Sequence, residues 1–457
     1  MAEHAETEQS EPEVSAHTKP TPDKVEEKPT EEAISPKKAV HPFAKSIQRA
    51  QRRRLFTILG VCVAALSILW GIIYYSTRSG ILILESEKNF TVTLNGKAAK
   101  LDQEKDGVFI HARPGVYRLE LSRDGYEPFI ADIKIASGGI VKLRPIFSVL
   151  PKTTTTSPTT VDYVRPSLDH KSVYYLGDNR QTIYRVEIAN KVQVPITTEP
   201  LQGVSDMQWT HSADVALIQL PDGYYLQEIP TYNFQNEVRV KITQPYISAL
   251  VFDPNSSDRI AFVYSPPTGE HSLAFSNDRN ITSFDRKADI GAITNPKLIW
   301  SPSSDYVLLI DRSGDPTKNN LWIYRTTDGQ LVQLTTSGNV TDATFSPDSG
   351  TILYEVRSTD PSNPVGSTLS VMRPDGTDKK DLGIAGKVTR TAWKDASSFY
   401  LPDLAHNNLT LYQLGGSQTS IPFSFPSGNI QGMNYFPEDQ VLLFYTAQSI
   451  YLSDLAK

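Results

Sequence analysis

The amino-acid sequence predicts a mainly β protein in three parts: a single transmembrane helix, a small β module and a series of repeated β-sheets. Three observations predict this fold class. An uncharged apolar run stands near the N-terminus, residues 80–145 alternate between apolar and polar side chains, and a short aromatic turn motif recurs in residues 146–457. With 457 residues the chain is long enough for two or three domains.

Bulk composition excludes some function classes. The chain has 39% hydrophobic and 21% charged residues, as ordinary globular proteins do. A net charge of −6 gives no support to nucleic-acid binding, so we expect no nucleic-acid partner. The single cysteine, Cys62, excludes an intramolecular disulfide and a cysteine-rich metal site.

Residues 1–54 are predicted to form a disordered cytoplasmic tail with a basic run beside the membrane. Residues 1–36 hold ten acids and three bases and are almost free of aromatic side chains, so they cannot bury enough apolar area to fold. Residues 37–54 hold seven bases and no acid. This run is suited to nucleic acid or anionic lipid as well, but its place beside the apolar run favours a role in membrane topology and headgroup contact.

A transmembrane helix is predicted over Leu55 to Tyr75, LFTILGVCVAALSILWGIIYY, which has 21 residues and no charge. A helix of that length crosses a hydrocarbon core of roughly 30 Å. The alternatives are a buried helix of a soluble protein and a cleaved signal peptide, which has a shorter apolar core and small residues at its cleavage site. We expect a retained anchor. The preceding bases predict a cytoplasmic N-terminus and an extracytoplasmic segment, 76–457.

The segment after the membrane, residues 80–145, is predicted to be a small all-β module. Its apolar and polar residues alternate in five segments, and Asn-Gly or Asp-Gly pairs separate them at 95–96, 106–107 and 124–125. The five predicted strands are ILILES, FTVTLNG, GVFIHA, YRLELS and FIADIKI.

The stretch ARPGVYRLELSRDGYEPFIADIKI within this module resembles the PEGA domain, a small extracytoplasmic β module. The resemblance rests on Pro114-Gly115-Val116-Tyr117 and on Gly125-Tyr126-Glu127-Pro128, with FTVTLNGK ahead of them. It implies a spacer or binding module outside the membrane, without catalytic residues.

The repeated motif is seen at IWSPSSDYVLLID, residues 299–311, and it recurs with successive separations of 45, 43, 48, 45, 48 and 42 residues. A period of about 40–45 residues with several short strands in each unit is typical of a β-propeller, so we predict a seven-bladed β-propeller over residues 146–457. The key residues of the seven copies are Val164, Trp209, Phe252, Trp300, Phe345, Trp393 and Tyr435.

Each part of the motif has an expected role. The aromatic side chain fills the space between neighbouring blades, and the Ser-Pro-Asp that follows makes a turn in which Ser or Asp bonds nearby backbone N–H groups. The last copy leaves too few residues for a fourth strand. We therefore expect Phe147–Leu150 to supply the outer strand of the final blade. The Thr-rich segment 152–160 is expected to be a surface loop of this clasp or, alternatively, a linker.

The motif at Trp300-Ser301-Pro302 and Phe345-Ser346-Pro347-Asp348 resembles the propeller repeats of the TolB family, which occurs in periplasmic and surface proteins. The spelling is degenerate at Trp393-Lys394-Asp395 and at Val164-Arg165-Pro166. Together with the absence of disulfides, the two family resemblances favour a bacterial cell envelope.

The sequence predicts no catalytic, cofactor-binding or metal-binding residues, and no enzymatic activity. It has no Gly-x-Ser-x-Gly elbow, no His-Glu-x-x-His and no phosphate-binding glycine loop. Ser346-x-Asp348-x-Gly350 is similar to a sialidase Asp-box but fits the repeat turn better, and the oxygen-rich segment 311–320 lacks the spacing of an EF-hand. None of the histidines forms a metal-spaced pair: His4, His17, His41, His111, His170, His211, His271 and His406.

We therefore expect a membrane-anchored binding or scaffold protein that recognises an envelope protein, peptide or glycan. The loop insertions at 264–272, 312–320 and 357–366 are candidates for recognition on one rim, although they also suit uninvolved connectors. The alternatives are a transmembrane signalling or assembly component that works through its tail, and an enzyme acting on envelope glycans or peptides. The sequence leaves the oligomeric state open.

Overall fold

The computed structural model describes residues 42–77, 79–84, 89–156, 160–230, 238–358 and 366–456. The segment 1–41, on which most of the predicted disordered tail falls, lies outside the described residues. Contacts divide the chain into two compact units, Met1–Ser76 and Thr77–Lys457.

The first unit contains one long helix, α1 (Pro42–Thr77). Its segment Arg54–Ile73 has a mean hydropathy of 2.4 and no buried residue, so it is long and apolar enough to cross a membrane. Within the described residues no other helix meets that description. The helix begins ahead of Leu55, so residues 42–54, which we expected in the disordered tail, are helical.

The second unit opens with two four-stranded sheets, the β module, which pack on one apolar cluster that includes Ile81, Phe90 and Leu119. Strands occupy all five predicted segments, and three short strands that we did not predict complete the sheets. The strands are β1 (Gly80–Ile83), β2 (Thr91–Leu94), β3 (Lys97–Ala98), β4 (Asp102–Glu104), β5 (Gly107–His111), β6 (Gly115–Ser122), β7 (Phe129–Ile135) and β8 (Ile140–Leu143), in the orders β4-β5-β1-β8 and β3-β2-β6-β7.

Seven four-stranded antiparallel sheets follow among the described residues, which we call repeat sheets 1 to 7. Sheet 1 consists of β10 (Asp162–Pro166), β11 (Ser172–Gly177), β12 (Thr182–Glu187) and β13 (Gln193–Pro195). Sheet 2 consists of β14 (Asp206–Trp209), β15 (Val215–Leu220), β16 (Gly223–Glu228) and β17 (Arg239–Lys241). Sheet 3 consists of β18 (Ile247–Asp253), β19 (Ser256–Tyr264), β20 (Ser272–Ser276) and β21 (Asp285–Asp289).

Sheets 4 to 6 are built in the same way, with strands in chain order from first to fourth. Two 3-10 turns, η1 (Pro316–Lys318) and η2 (Val388–Arg390), lie between strands. The strands are β22 (Lys297–Trp300), β23 (Tyr306–Ile310), β24 (Leu321–Arg325), β25 (Leu331–Gln333), β26 (Val340–Phe345), β27 (Ile352–Arg357), β28 (Ser367–Met372), β29 (Lys380–Ala385), β30 (Ala392–Asp395), β31 (Ser398–Asp403), β32 (Asn408–Gln413) and β33 (Gln418–Pro422).

Repeat sheet 7 combines strands from both ends of the unit. Its first three strands are β34 (Gly432–Phe436), β35 (Val441–Tyr445) and β36 (Ser449–Asp454), and its outer strand is β9 (Lys152–Thr156). The expectation that Phe147–Leu150 supplies this strand is therefore wrong, as is the expectation that 152–156 is a loop. β-branched threonines suit a strand, whereas the backbone of Val149 already bonds Pro422 and Ser424.

Neighbouring repeat sheets are held together by apolar clusters, each of which draws on two consecutive sheets. Sheets 1 and 2 share a cluster, and the pattern continues through sheets 6 and 7. A further cluster joins sheet 7 to sheet 1, with Leu443 and Ile450 packed among Val164, Val173 and Tyr175. Every repeat sheet therefore has two sheet neighbours.

The repeated aromatic residue lies between sheets, as the motif predicts. Phe252, Trp300 and Phe345 are buried in the clusters that join their sheets to a neighbour. Two of the tryptophans also reach back to the preceding sheet, because Nε1 of Trp209 donates to Tyr163 O at 2.6 Å and Nε1 of Trp300 donates to Val251 O at 3.2 Å. The motif therefore supplies a hydrogen bond as well as apolar area.

The turn after the aromatic residue has the predicted chemistry. In sheet 5 the hydroxyl of Ser346 donates to Asp348 at 2.6 Å and accepts from the amide of Thr351 at 2.9 Å, while Asp348 accepts from the amide of Gly350. The same pattern joins Ser167 to Asp169 in sheet 1, although that copy of the motif is degenerate. The side chains of Ser346 and Asp348 in the Ser346–Gly350 segment are thus engaged in hydrogen bonds that form the turn itself.

The turns also bond to one another around one face of the repeat sheets. Nη2 of Arg165 donates to His211 O at 2.9 Å, and Nδ2 of Asn255 donates to Pro302 O at 2.7 Å. The amide of Ser303 donates to the hydroxyl of Ser349 at 2.9 Å. The first of these bonds links β10 of sheet 1 to the turn of sheet 2, and the other two link the turns of sheets 3 and 4 and of sheets 4 and 5.

Candidate functional site

A cleft of about 620 Å³ lies where the β module meets repeat sheets 7 and 1. The module contributes Gly125 and Tyr126, and sheet 1 contributes the two turns that connect β10 to β11 and β12 to β13. The remaining wall comes from sheet 7, including the start of β9 at Lys152. Four separate parts of the sequence therefore build one site.

Backbone hydrogen bonds fix the module beside this cleft. The amide of Glu127 donates to Ser148 O at 2.9 Å, and the amide of Leu150 donates to Gly125 O at 2.9 Å. Val149 lies between the module and sheet 6, because it forms isolated β-bridges with both Tyr126 and Phe423. The floor of the cleft is thus held by main-chain bonds on both sides.

The lining of the cleft is largely apolar. Val149 is buried, whereas the neighbouring Leu150 is 46% exposed. Phe436, Val441 and Leu452 of sheet 7 complete this wall. An exposed apolar floor in a concave site is typical of a surface that binds a partner.

Charged groups surround the apolar floor. Nδ1 of His170 lies 2.6 Å from Oδ2 of Asp439, and the imidazole packs on the ring of Phe436 with 4.3 Å between centroids. This contact joins the turns of sheets 1 and 7. Asp169 stays ionised more readily than a free carboxyl, because the Ser167 hydroxyl and the Lys171 amide donate to it and hold its pKa below the usual value.

One polar group of the cleft wall has no hydrogen-bond partner among the described residues. The hydroxyl of Ser453, a residue that is 3% exposed, is buried and makes no such bond. Buried hydroxyls in proteins are normally paired with another protein group or with ordered water.

The opposite face of the repeat sheets carries the three predicted insertions. The segments 264–272 and 312–320 each connect the second strand of their sheet to the third, so both lie on one rim, and the described ends of 357–366 occupy the same position in sheet 5. Most of the last segment falls outside the described residues. In the first, Oγ of Ser265 lies 2.5 Å from Nδ1 of His271.

The predicted oxygen-rich segment 311–320 is occupied by its own hydrogen bonds. Oδ1 of Asp311 accepts from the amide of Thr294 at 3.1 Å, and burial raises the pKa of this carboxyl. Oδ1 of Asp315 accepts from both the amide and the hydroxyl of Thr317. Among the described residues no group of three His, Cys, Asp or Glu side chains is placed to hold a metal ion.

A second cluster of polar groups lies at the first strands of sheets 1 and 2, the turn between β11 and β12, and the end of β35 in sheet 7. Nη2 of Arg180 lies 2.6 Å from Oδ2 of Asp162. Burial raises the pKa of Tyr163 to about 12, with a further contribution from Asp206. Burial likewise raises the pKa of Tyr445 to about 12, with the charge of Asp162 adding to it. These tyrosines are neutral at physiological pH.

The structure brings together residues that sequence reasoning did not single out. His170 has no metal-spaced partner in the sequence, and it contacts Asp439 far along the chain. Leu150 was expected in the outer strand of the final blade, Phe436 follows the key residue Tyr435, and Ser453 carried no motif, but no pattern placed the three at one cleft. The signal available in advance was limited to the copies of the turn that begin sheets 1 and 7, because spacing along a chain does not report which loops meet in space.

Comparisons with known proteins give likenesses of structure only. No family model and no curated protein matches the sequence. Oligogalacturonate lyase of Vibrio parahaemolyticus is similar at a TM-score of 0.49 and 11% identity, over 66% of this chain and 93% of that one. TolB of Acinetobacter baumannii is similar at a TM-score of 0.38 and 13% identity, over 73% and 79% of the two chains.

A glycoside hydrolase of Niastella koreensis, GH74, is also similar, at a TM-score of 0.48 and 12% identity, over 66% of this chain and 53% of that one. These identities and TM-scores carry no argument about activity.

Proposed function

We propose that this chain is a membrane-anchored extracytoplasmic binding protein of the cell envelope, whose partner is a protein, peptide or glycan that enters the cleft. The observation that carries the proposal is the partly exposed apolar floor at Leu150, enclosed by the module and by sheets 7 and 1. The proposed role is non-catalytic binding, because the exposed area of the cleft lining is largely apolar.

The repeat sheets are proposed to be the blades of a closed seven-bladed propeller of the TolB-like kind. Support comes from the apolar clusters, which join each sheet to the next and sheet 7 to sheet 1. It also comes from sheet 7 itself, in which β9 pairs with β36. In a closed ring every sheet is packed between two neighbours, so the scaffold that holds the cleft is rigid.

The anchor is proposed to be α1, with the N-terminus in the cytoplasm. Its apolar segment Arg54–Ile73 is unburied, and the bases that precede it favour the cytoplasmic side. The module between the span and the repeat sheets is proposed to be a PEGA-like spacer, on the sequence pattern of residues 114–128.

Orientation is tested with an impermeant thiol reagent on sealed right-side-out vesicles, in a Cys62→Ser background. Leu168, which is 55% exposed in sheet 1, is replaced in Leu168→Cys, and Ser46 is replaced in Ser46→Cys. We expect labelling of the first variant only. Labelling of the second variant alone refutes the orientation.

Binding at the cleft is tested with full-length protein in nanodiscs on arrays of short peptides and of envelope glycans. We expect a defined subset of one array to bind, and Leu150→Asp to weaken that binding by about tenfold, since a charge replaces an apolar contact in the floor. The matched control is Val116→Asp, at a module residue that is 67% exposed and does not line the cleft. Equal binding by both variants, or no binding by the wild type, refutes the proposed function.

A further inference from the structure

The outer strand of sheet 7 has features that the outer strands of the other repeat sheets lack. An outer strand presents unpaired N–H and C=O groups, and proteins protect such edges with charges, proline or short length. β13 and β33 end in Pro195 and Pro422, and β25 has three residues. β17, β21 and β29 each carry at least two charged residues.

β9 has none of these protections in full. Its sequence is Lys-Thr-Thr-Thr-Thr, with five residues, one charge at the first position and no proline. It pairs with β36 on one side, and within the described residues no strand pairs with its other side. Four consecutive β-branched residues favour extended backbone, so the edge is ready to accept another strand.

The unprotected edge and the cleft adjoin each other. Lys152, Thr153 and Thr154 belong to β9 and also line the cleft. Successive side chains of a strand point to opposite faces, so a strand added to β9 directs every second side chain toward one face of the sheet. Leu452 pairs with Lys152 in register and Leu150 precedes Lys152 by two residues, so the apolar floor adjoins the first residues of β9.

We infer that the partner is an extended polypeptide segment that adds to β9 as a fifth strand of sheet 7 and places an apolar side chain in the cleft. This inference rests on the proposed function and names its partner class. Main-chain hydrogen bonds to the edge supply affinity, and the cleft supplies specificity for alternate residues. A glycan satisfies neither requirement, because it offers no strand of alternating N–H and C=O groups.

The test uses full-length protein in nanodiscs and synthetic peptides of about six residues, the ordinary length of a strand, with apolar residues at alternate positions. Each binding peptide is compared with a version that is N-methylated at alternate amides, which removes the donors that a strand needs. Backbone hydrogen exchange of residues 152–156 is measured with and without peptide.

We expect N-methylation to weaken binding by at least about tenfold, and the bound peptide to slow exchange at 152–156. Binding that tolerates N-methylation, leaves exchange at 152–156 unchanged and is still weakened by Leu150→Asp overturns strand addition but leaves the cleft as the binding site. Glycan binding without peptide binding overturns the polypeptide partner. Protection of 152–156 by self-association in the absence of peptide assigns the edge to a second copy instead. No binding to either array overturns the proposed function as well.

Discussion

Val149 joins the β module to the repeat sheets, and shortening its side chain tests that junction. The residue is 6% exposed and packs in one apolar cluster with Phe423, Ile430 and Phe444. Its amide donates to Pro422 O at 2.9 Å, and its carbonyl accepts from the amide of Ser424 at 2.8 Å. Val149→Ala keeps both main-chain bonds and removes only apolar contacts.

The expected cost follows from that packing. Losing two buried methyl groups forfeits about 1.6 kcal/mol of transfer free energy. The remaining cavity brings the loss to about 2 kcal/mol, because the surrounding main-chain bonds limit collapse. With an unfolding entropy of about 2.1 cal/mol/K per residue over roughly 380 residues, the melting temperature falls by about 2–3 °C.

The assay is thermal unfolding of the full-length protein in nanodiscs, followed by the fluorescence of the tryptophans, four of which lie in the repeat sheets. The control is Val116→Ala, at a valine that is 67% exposed, where the same deletion removes little buried area. A melting temperature for Val149→Ala equal to that of the control refutes the assigned packing of the junction.

Three further predictions concern the repeat sheets. Trp300→Phe is expected to lower the free energy of unfolding by about 1 kcal/mol more than Trp393→Phe does. Of these two indoles, only that of Trp300 has a hydrogen-bond partner among the described residues. Equal losses for the two variants in denaturant titrations contradict this prediction. The pKa of Tyr445 is raised by burial to about 12, whereas an unfolded tyrosine ionises near 10. The unfolded chain therefore loses the Tyr445 proton at a lower pH than the folded chain does, and the free energy of unfolding falls as pH rises from about 10 to 12. We expect this fall to be shallower in Tyr445→Phe. The same dependence on pH in Tyr445→Phe and in the wild type argues against the burial of Tyr445. Gly338→Ala is expected to lower the free energy of unfolding by at least about 3 kcal/mol, because its Cβ would lie 1.8 Å from Thr317 O at a φ of +68°. The control is Gly314→Ala, whose Cβ would have nothing nearby and which is expected to cost about 1 kcal/mol. Similar melting temperatures for the two variants refute the close approach.

Local patterns predicted the repeat sheets well because the motif acts locally. Ser346 and Asp348 make their hydrogen bonds within one turn, and Trp300 contacts only the adjacent sheet. The structure of each copy of the motif is therefore determined by residues close to it. The outer strand of sheet 7 was misplaced because Val149 and the threonines after it are all β-branched. Only the partners far along the chain decide which of the two segments pairs with β36.

The cleft was not predictable from the sequence. Its wall combines Tyr126 of the module and Leu150 with His170 and Phe436, which lie in the first and last copies of the repeated turn, and no sequence pattern indicates that these residues meet. The predicted rim loops do share one face, since the order of strands within a repeat places every second-to-third connection on the same side. Pattern alone thus located a rim, whereas the meeting of module and repeat sheets depends on packing between distant segments.

The pairing of β9 with β36 has a consequence for biosynthesis. Lys152 meets Leu452 about 300 positions later, so the ribosome makes the first strand of this pair long before the second. Until β36 has been synthesised, β9 has no strand to pair with, and the nascent chain exposes unpaired backbone groups that can cause aggregation. Pairing between strands so far apart in the sequence slows folding. A truncated chain that ends before Ser449 lacks β36, so its β9 stays unpaired by that strand and prone to aggregation.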